Sequence, residues 1–297
     1  MASSTSPRSS EAREKARQIA AKQSKGAGKK SRLWWQIGVV VVLVLIIGII
    51  AAVYTHNKKS EIPDAGPVPA SANQYGGIVL TKDGIKKDTS DVDERDVNDV
   101  KKSSESAPPD DESNGKETTL PLGMTTSEDS KKNGEPARVT TFQDYNCVHC
   151  AEFEKANGDE IKQKVLNGDI TLEIRNLNFL DQETSTEYSS RAAAAAYSVA
   201  DQVSPEKFLD WQQEMFSHQG QGGMSNKEIA KIADKYGADI KDDLDNNKYR
   251  PMVNVLVAES KKNDVQGTPT TYVDGRKFTG QSFPDFLNGI IKDKSGQ

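Results

Sequence analysis

Apolar residues are distributed very unevenly along this chain, with one uninterrupted run near the amino terminus. From Leu33 to Tyr54 there is no charged residue, and 22 residues at about 1.5 Å each reach roughly 33 Å, enough to cross a hydrocarbon core of about 30 Å. Trp34 and Trp35 at one end and Tyr54 at the other occupy positions typical of interfacial aromatics. We therefore predict a transmembrane helix over residues 33–54.

Charges flanking this run predict its orientation. Residues 1–32 contain nine Lys or Arg and two Glu, whereas only Lys58 and Lys59 follow the run closely. The positive-inside rule then places the tail in the cytoplasm and the rest of the chain outside a cell membrane that it crosses once. A cleaved signal peptide is the competing interpretation, but the run exceeds an h-region of about 7–15 residues, which favours an uncleaved signal-anchor.

The basic tail is also compatible with nucleic-acid binding. Beside a membrane span, we interpret it instead as a topology determinant that rests on anionic lipid headgroups. No nucleic-acid partner is therefore predicted.

Residues 55–135 are rich in Ser, Asp, Glu, Lys and Pro and poor in apolar residues. Such a segment buries too little surface to offset the entropy of ordering, so we predict a disordered, flexible extracytoplasmic linker. Residues 76–80 (GGIVL) form an apolar island within it. The sequence leaves open whether this island adds an edge strand to a later sheet or forms only a transient strand.

The hydrophobic fraction of the whole chain, 35%, and its mean hydropathy of -0.69 are low for a fully globular protein of this size. We therefore predict that a large part of the chain is unstructured and that one compact domain remains.

Strand and helix patterns follow one another in residues 136–295. Val139–Phe142 is rich in strand-forming residues, and residues 170–175 alternate between apolar and polar, which is typical of a strand. From about residue 183 to 262 the patterns and capping signals are helical, and strand residues return at 270–273. The order β, α, β, helical insertion, β-hairpin, α predicts an α/β domain.

The only two cysteines of the chain, Cys147 and Cys150, stand where the first strand pattern gives way to a helix pattern. A Cys-x-x-Cys at such a junction is typical of a thioredoxin-like redox centre. The helix N-terminus is expected to stabilise the thiolate of Cys147, and His149 to add a donor or a charge to the same sulfur. A stabilised thiolate makes the disulfide a stronger oxidant. We predict that Cys147 is the exposed sulfur that enters the mixed disulfide and that Cys150, one turn into the helix, is the more buried resolving cysteine.

Two other interpretations of the cysteine pair are weaker. A zinc site needs a second pair of ligands, and the only histidines are His56, His149 and His218, so no metal is predicted. A purely structural disulfide would close a very short loop, and short loops give the least stabilisation on the chain-entropy model. No cofactor is predicted apart from the Cys147–Cys150 disulfide itself.

A second candidate element is Gly267-Thr268-Pro269-Thr270, which directly precedes a strand pattern. The X-Pro peptide bond is the kind for which the cis form costs little, so Pro269 is a candidate cis-proline. From the residues alone, an ordinary trans proline at the start of a strand is favoured.

The combination of Asp144, Cys147-Val148-His149-Cys150, Glu154 and Gly267-Thr268-Pro269-Thr270 resembles the DsbA-like branch of the thioredoxin superfamily over about residues 137–293. Members of this branch are membrane-anchored thiol–disulfide oxidoreductases of bacterial envelopes. The resemblance implies a thioredoxin-like fold with a helical insertion, preceded here by one transmembrane helix and a disordered tether.

The resemblance also implies roles for single residues. Pro269 is expected to be cis and to face the cysteine pair, and the backbone of Thr268 to pair with a substrate peptide by strand addition. Glu154 resembles a family position whose buried carboxylate assists proton transfer at Cys150. One departure is Val148, which stands where the strongest oxidants of the family have proline.

The residues and the resemblance together predict an oxidase that introduces disulfides into secreted or envelope proteins. Its partners would be unfolded proteins with free thiols and a quinone-linked membrane oxidase that restores the disulfide, and the protein would act as a monomer. A reductase or isomerase of the same fold is the first alternative, because a threonine before the cis-proline also occurs in isomerase-type relatives. The second is a non-catalytic envelope binding or chaperone module whose disulfide is structural.

Overall fold

The structure is a computed structural model that divides into two compact units, Met1–Glu61 and Ile62–Gln297. The residues it describes are 14, 15, 17, 18, 38–49, 61–87, 90–103, 109–110, 118–183, 185–263 and 265–295. In the first unit, residues 38–49 form a helix with exposed apolar side chains. Within the described ranges, no helix has both the length and the apolar character needed to cross a membrane. The remaining residues of the predicted span lie outside those ranges, so the transmembrane helix stays a prediction.

The second unit contains all the elements labelled here. Its strands are β1 (Ala65–Pro67), β2 (Ile78–Thr81), β3 (Gly84–Ile85), β4 (Glu94–Asp96), β5 (Pro109–Asp110), β6 (Thr118–Thr119), β7 (Ala137–Gln143), β8 (Ile170–Asn176), β9 (Thr270–Val273) and β10 (Arg276–Lys277). Its helices are α1 (Val97–Lys102), α2 (Ser127–Lys132), α3 (Val148–Asn167), α4 (Tyr188–Ala200), α5 (Pro205–Ser217), α6 (Asn226–Tyr236), α7 (Lys241–Asp245), α8 (Arg250–Lys262) and α9 (Phe283–Ser295), with a 3₁₀ helix at Phe179–Glu183.

A six-stranded sheet in the order β10-β9-β7-β8-β2-β3 organises this unit. β7 and β8 pair in parallel, from Ala137 opposite Ile170 to Gln143 opposite Asn176. β9 pairs antiparallel with β7, and β2 pairs antiparallel with β8. The predicted thioredoxin-like α/β fold is confirmed. In such a sheet, β7 delivers the chain directly into α3, and the two cysteines lie at that junction.

Every residue of β8 is buried, the polar ones included. Glu173 accepts hydrogen bonds from Arg175 at 2.8 Å and from the Asn73 amide at 3.0 Å. The Arg175 guanidinium also donates to the carbonyl oxygen of Leu122 at 2.8 Å. A charged pair is tolerated in the interior when its hydrogen-bonding capacity is used in this way. The polar positions of β8 are therefore covered by segments that precede β7 in the chain.

The prediction of a flexible linker is corrected for residues 62–87 and 90–103, called here the N-terminal addition. These residues form β1 to β4 and α1. β2 pairs with β8, and β3 lies outside it, so the apolar island supplies the second strand from the edge. The Ser71 hydroxyl donates to the Tyr197 carbonyl oxygen at 3.1 Å. Local composition fails here because the stabilising partners lie about a hundred residues further along the chain.

The predicted helical insertion is present as the 3₁₀ helix and α4 to α8. The Ser204 side chain caps α5 by accepting from the Lys207 N–H, and Ser225 and Glu228 form a capping box at α6. α8 begins at Arg250 and has a proline in its first turn. One face of α5 is buried and carries Phe208, Trp211, Met215 and Phe216.

Candidate active site

The cysteine pair occupies the first turn of α3. Cys147 is the N-cap of the helix, in an extended backbone conformation, and its N–H donates to the Asp144 carbonyl oxygen at 3.0 Å. The side chains of Cys147 and Cys150 are buried, with exposed fractions of 7% and 2%, and both are free thiols in this structure. A helix N-terminus presents unpaired N–H groups, so it favours a negative charge at Cys147.

The surroundings lower the pKa of Cys147 to about 5. The main cause is a hydrogen bond from the Cys150 thiol, and the Thr268 side chain and the backbone N–H groups of His149 and Cys150 contribute further. Burial opposes these effects but does not outweigh them. Because an ordinary cysteine has a pKa of about 8.5, Cys147 is almost entirely thiolate at neutral pH.

Cys150 has the opposite electrostatic environment. Burial, together with the hydrogen bond to Cys147 and the charge on that sulfur, raises the pKa of Cys150 far above the ordinary range. The Asp144 N–H points at Cys150 Sγ at 3.5 Å. The two thiols therefore share one ionisation, with the negative charge on Cys147 and the proton on Cys150. The roles of Cys147 in the mixed disulfide and of Cys150 as resolving cysteine stay predictions, whereas the predicted exposure of Cys147 is wrong, since its side chain is 7% exposed.

The Thr268–Pro269 peptide bond is cis, as the resemblance implied. Thr268 is adjacent to the cysteines, and Cys147 Sγ lies 3.3 Å from the Thr268 carbonyl oxygen. β9 begins directly after Pro269 and pairs with β7, which explains how two segments 121 residues apart meet at one site. The trans proline favoured from the residues alone is wrong, because local composition carries no information on this packing.

The predicted contact of the His149 side chain with the Cys147 sulfur is corrected by the structure. The imidazole is 73% exposed, and its Nδ1 lies 3.0 Å from Glu152 Oε2. This hydrogen bond, and the charge of Glu152, raise the pKa of His149. Position i+2 in the first helical turn directs the side chain to solvent, whereas the backbone N–H of His149 points towards Cys147. His149 therefore acts on the sulfur through its main chain.

Glu154 lies one turn beyond Cys150, and burial raises its pKa to about 7. Its carboxylate accepts from Gln212 Nε2 at 3.2 Å, and Gln212 Oε1 accepts in turn from Gln143 Nε2 at 2.8 Å. Gly158 leaves room for this carboxylate, since a Cβ at that position would lie 2.6 Å from Glu154 Oε1. Gln143 and Gln212 were missed by the sequence analysis. A polar residue on the otherwise apolar core face of α5 was the signal for Gln212.

Cys147 also lines a cleft of about 590 Å³ together with Thr268. Phe179 and Leu180 of the 3₁₀ helix also line it, together with Val265 and the polar residues Gln182, Glu183, Lys261 and Gln266. The cleft borders the reactive sulfur, so it has the position expected for a polypeptide that reacts there. Within the described residues, no group of three or more His, Cys, Asp or Glu is arranged to hold a metal ion.

Residues 133–293, more than half of the chain, match the family model described as thioredoxin. The chain belongs to the thioredoxin family. It is 25% identical over 166 residues to disulfide bond formation protein D of Bacillus subtilis, covering 52% of this chain and 70% of that protein.

The serine/threonine-protein kinase PknE of Mycobacterium tuberculosis is 28% identical over 111 residues, covering 35% of this chain. The chain thus spans about a fifth of the length of that relative, at 20%. DsbA from Mycobacterium tuberculosis superimposes with a TM-score of 0.48 and 30% identity, covering 54% of this chain and 83% of the other.

Proposed function

We propose that this protein is an extracytoplasmic thiol–disulfide oxidoreductase that introduces disulfides into secreted or envelope proteins through Cys147 and Cys150. One observation carries the proposal. Cys147 has a pKa of about 5 and borders an open cleft, whereas Cys150 is buried with a strongly raised pKa. A dithiol whose reduced form is stabilised in this way favours electron flow from substrate to enzyme.

The reaction starts from the Cys147–Cys150 disulfide. A substrate thiolate attacks Cys147 Sγ, the bond between the two enzyme sulfurs breaks, and a mixed disulfide joins Cys147 to the substrate. The electron pair of the broken bond goes to Cys150, which takes up a proton because burial strongly disfavours its thiolate. The neighbouring Asp144 N–H, 3.5 Å from Cys150 Sγ, stabilises the charge on this sulfur before the proton arrives.

A second thiolate of the substrate then attacks the substrate sulfur that is bonded to Cys147 in the mixed disulfide. This step forms the substrate disulfide and releases Cys147 as a thiolate, which leaves readily because its pKa is about 5. Two electrons have then passed from substrate to enzyme. A quinone-linked membrane oxidase is the class of partner that would remove them and restore the enzyme disulfide.

Glu154 is proposed to exchange a proton with Cys150 during these steps. A pKa of about 7 lets its carboxyl both donate and accept a proton near neutral pH. Thr268 and Pro269 are proposed to hold the substrate backbone beside Cys147 by strand addition.

Location outside the membrane is proposed on the basis of the apolar run at residues 33–54 and the basic tail before it. The similarity to a protein named for disulfide bond formation supports the same chemistry. Disulfides persist in oxidising compartments outside the cytoplasm, so this location and an oxidase activity are consistent with each other.

The reduction potential of the Cys147–Cys150 pair tests the proposal. We expect a value near that of strong oxidants, about -120 mV, when the full chain is equilibrated with glutathione buffers. A value near about -270 mV would instead assign a reductase of the same fold. If secreted substrate proteins acquire their disulfides equally well with a Cys147→Ala variant, Cys147 has no part in their oxidation, and only the non-catalytic binding module would remain.

A further inference from the structure

A chain of three buried amide side chains ends at the Glu154 carboxylate. Gln212 of α5 donates from Nε2 to Glu154 Oε2 at 3.2 Å. Gln212 Oε1 accepts in turn from Gln143 Nε2 at 2.8 Å, and the same nitrogen donates to Asn176 Oδ1 at 3.0 Å. All three amides are buried, and Gln143 and Asn176 are the last residues of β7 and β8. The two central strands of the sheet therefore anchor the group that contacts Glu154.

The direction of these hydrogen bonds fixes which end of the Gln212 amide faces Glu154. Gln143 uses both hydrogens of Nε2 as donors, one to Asn176 and one to Gln212. The oxygen of the Gln212 amide therefore points to Gln143, and its nitrogen, which only donates, is left for the carboxylate. Burial raises the pKa of Glu154 to about 7, and the hydrogen bond from Gln212 opposes this rise, whereas the charge of Asp159 adds to it. Gln212 thus favours the ionised carboxylate.

Glu154 also lines a cleft of about 540 Å³ between α3 and α5. Its lining includes Val148 and Lys155 of α3 and Gln213 and Phe216 of α5. Amide groups neither release nor take up a proton near neutral pH, so the three amides orient the carboxylate but do not carry its proton. A proton that Glu154 exchanges with solvent therefore passes through this cleft.

The titratable groups that act on Glu154 belong to α3 and to the redox turn. They are Asp159 on the same helix and Tyr145, which stays neutral because burial raises the pKa of its hydroxyl well above the ordinary value. The other charged residues that line the cleft are Glu152 and Lys155. From α5, the acidic residues two positions before and after Gln212 are each paired with a lysine, Asp210 with Lys162 and Glu214 with Lys235. Gln212 is thus the contact from α5 that stabilises the charge of Glu154.

We propose that Gln212 is a positioning residue that holds the Glu154 carboxylate ready to take the Cys150 proton. The inference rests on the proposed thiol–disulfide exchange. During reoxidation, Cys150 attacks a mixed disulfide between Cys147 and the oxidising partner, and it must first lose its proton because its thiolate is strongly disfavoured. The S–H proton passes to Glu154, which follows Cys150 by one helical turn. A bond forms between the two enzyme sulfurs, the partner sulfur leaves with the electron pair, and Glu154 releases the proton through the cleft.

The test isolates the step in which Cys150 attacks. The reduced full-length protein is mixed with excess glutathione disulfide, which forms a mixed disulfide on Cys147. Acid quenching and mass spectrometry then follow its conversion into the enzyme disulfide between about pH 5 and pH 9. The variants are Gln212→Met, Glu154→Gln and the double variant. Gln213→Met is the matched control, because this neighbouring glutamine donates to Asp159 Oδ1 at 3.0 Å.

We expect the rate of this step in wild type to rise with pH around a midpoint of about 7, where Glu154 ionises. Gln212→Met should move the midpoint up by about one pH unit, because the carboxylate loses a buried hydrogen bond. The rate near pH 7 should then fall about five-fold, and the two profiles should converge near pH 9. Alkylation of Cys147 by iodoacetamide should keep its wild-type pH profile, since Gln212 does not contact that sulfur.

The two other comparisons locate the effect at Glu154. Gln213→Met should leave the midpoint within about 0.3 pH units of wild type, although it removes a glutamine of the same cleft. Glu154→Gln should slow the step and abolish the midpoint near 7. The double variant should then behave like Glu154→Gln alone, because Gln212 acts only through the carboxylate.

Three results would overturn the inference. The first is an unchanged midpoint in Gln212→Met. The second is an equal shift in Gln213→Met or in the alkylation of Cys147, and the third is a midpoint near 7 that persists in Glu154→Gln. If Gln212→Met does not fold, Gln143→Met removes the anchor of the Gln212 amide instead, and an unchanged midpoint in that variant overturns the inference. A wild-type protein that forms no mixed disulfide with glutathione would contradict the proposed function itself.

Discussion

The redox end of the domain, residues 144–154, and the cluster around Glu173 both contain buried carboxylates. The pKa of these carboxyls is raised at the redox end and lowered in the cluster. At the redox end, burial raises the pKa of Asp144 to about 6 and of Glu154 to about 7. Burial also opposes ionisation of Glu173, yet Arg175, Arg138 and Asn73 outweigh it and lower the pKa of that carboxyl. No cation within the described residues is hydrogen-bonded to the two carboxylates of the redox end.

This difference distinguishes a carboxylate that stabilises the fold from carboxyls that can exchange protons. The charge of Glu173 is compensated by Arg175. The Glu173 carboxylate also accepts a hydrogen bond from Asn73 of the N-terminal addition, and this bond attaches the addition to β8. Carboxyls without a compensating cation keep a pKa within the physiological range and can exchange protons. Perturbed groups of the second kind gather at functional sites. The comparison predicts that substitutions in the two regions affect different properties.

Cys147→Ser should have the largest effect, because it removes the only sulfur that borders the cleft. We expect loss of peptide oxidation by at least about 1,000-fold. The free energy of unfolding of the reduced protein should change by less than about 1 kcal/mol at about pH 4, where the Cys147 thiol is protonated in wild type and no thiolate stabilises the fold. Peptide oxidation followed by mass spectrometry and urea unfolding of the reduced forms measure the two quantities. Cys150→Ser is the matched control: its Cys147 thiolate should attack the disulfide of an oxidised peptide, release the other peptide sulfur as a thiolate and retain the peptide as a mixed disulfide, because no resolving thiol is present. Retained oxidation by Cys147→Ser would place the chemistry elsewhere.

Glu173→Ala should have the largest effect on stability. It leaves the Arg175 guanidinium buried without its carboxylate, which costs about 3–5 kcal/mol in the free energy of unfolding. Because the folded pKa of Glu173 lies below the usual 4.5, its stabilisation is present above pH 4.5 and is lost as the pH falls through the folded value. Urea unfolding of wild type and variant should therefore converge at low pH.

The control for that experiment is Glu128→Ala, which breaks an exposed ion pair with Lys132. Exposed pairs contribute about 0–1 kcal/mol, so this variant should unfold almost like wild type. Equal losses for Glu173→Ala and Glu128→Ala would show that the buried cluster does not hold the addition in place.

The contrast between the two regions also explains what could be predicted from the sequence. The cysteine pair was recognisable because Cys147, Cys150 and the elements around them are contiguous in the chain. The same holds for the capping residues of the helical insertion, such as Ser225 and Glu228. Sites whose residues are neighbours in the chain can be recognised from the sequence alone.

The N-terminal addition was missed because its stability depends on distant partners. Asn73 bonds Glu173 across a hundred residues, and Ser71 bonds Tyr197 across 126. The cis form of Pro269 and the role of Gln212 depend on tertiary packing in the same way. Even His149, two residues after Cys147, was misjudged because helix geometry decides which atoms of a residue reach the sulfur.

Glu154→Gln tests a pH dependence of stability opposite in sign to that of Glu173. A folded pKa of about 7, above the usual 4.5, means that this group favours the fold below pH 4.5 and loses that contribution as the pH rises to 7. We expect Glu154→Gln to be more stable than wild type above pH 8, by about 2 kcal/mol, and equal to it near pH 4. Urea unfolding across this range measures the difference.

Glu206→Gln, an exposed change in the first turn of α5, is the control and should leave the slope of stability against pH unchanged. A wild-type profile parallel to that of Glu154→Gln would show that Glu154 is ionised at no extra cost in the folded protein. The carboxyl would then be unsuited to proton exchange with Cys150.

His149→Ala should have the smallest effect, and it tests whether the His149 imidazole acts on the Cys147 sulfur. The imidazole is exposed and paired with Glu152, so the pair carries little net charge towards Cys147, and the backbone N–H of residue 149 is retained in alanine. We expect the pKa of Cys147, followed by thiolate absorbance at 240 nm, to change by less than about half a pH unit. Thr268→Ala, which removes a side chain bonded to the sulfur, should raise that pKa by more. A larger rise for His149→Ala than for Thr268→Ala would restore the imidazole as a direct partner of the sulfur.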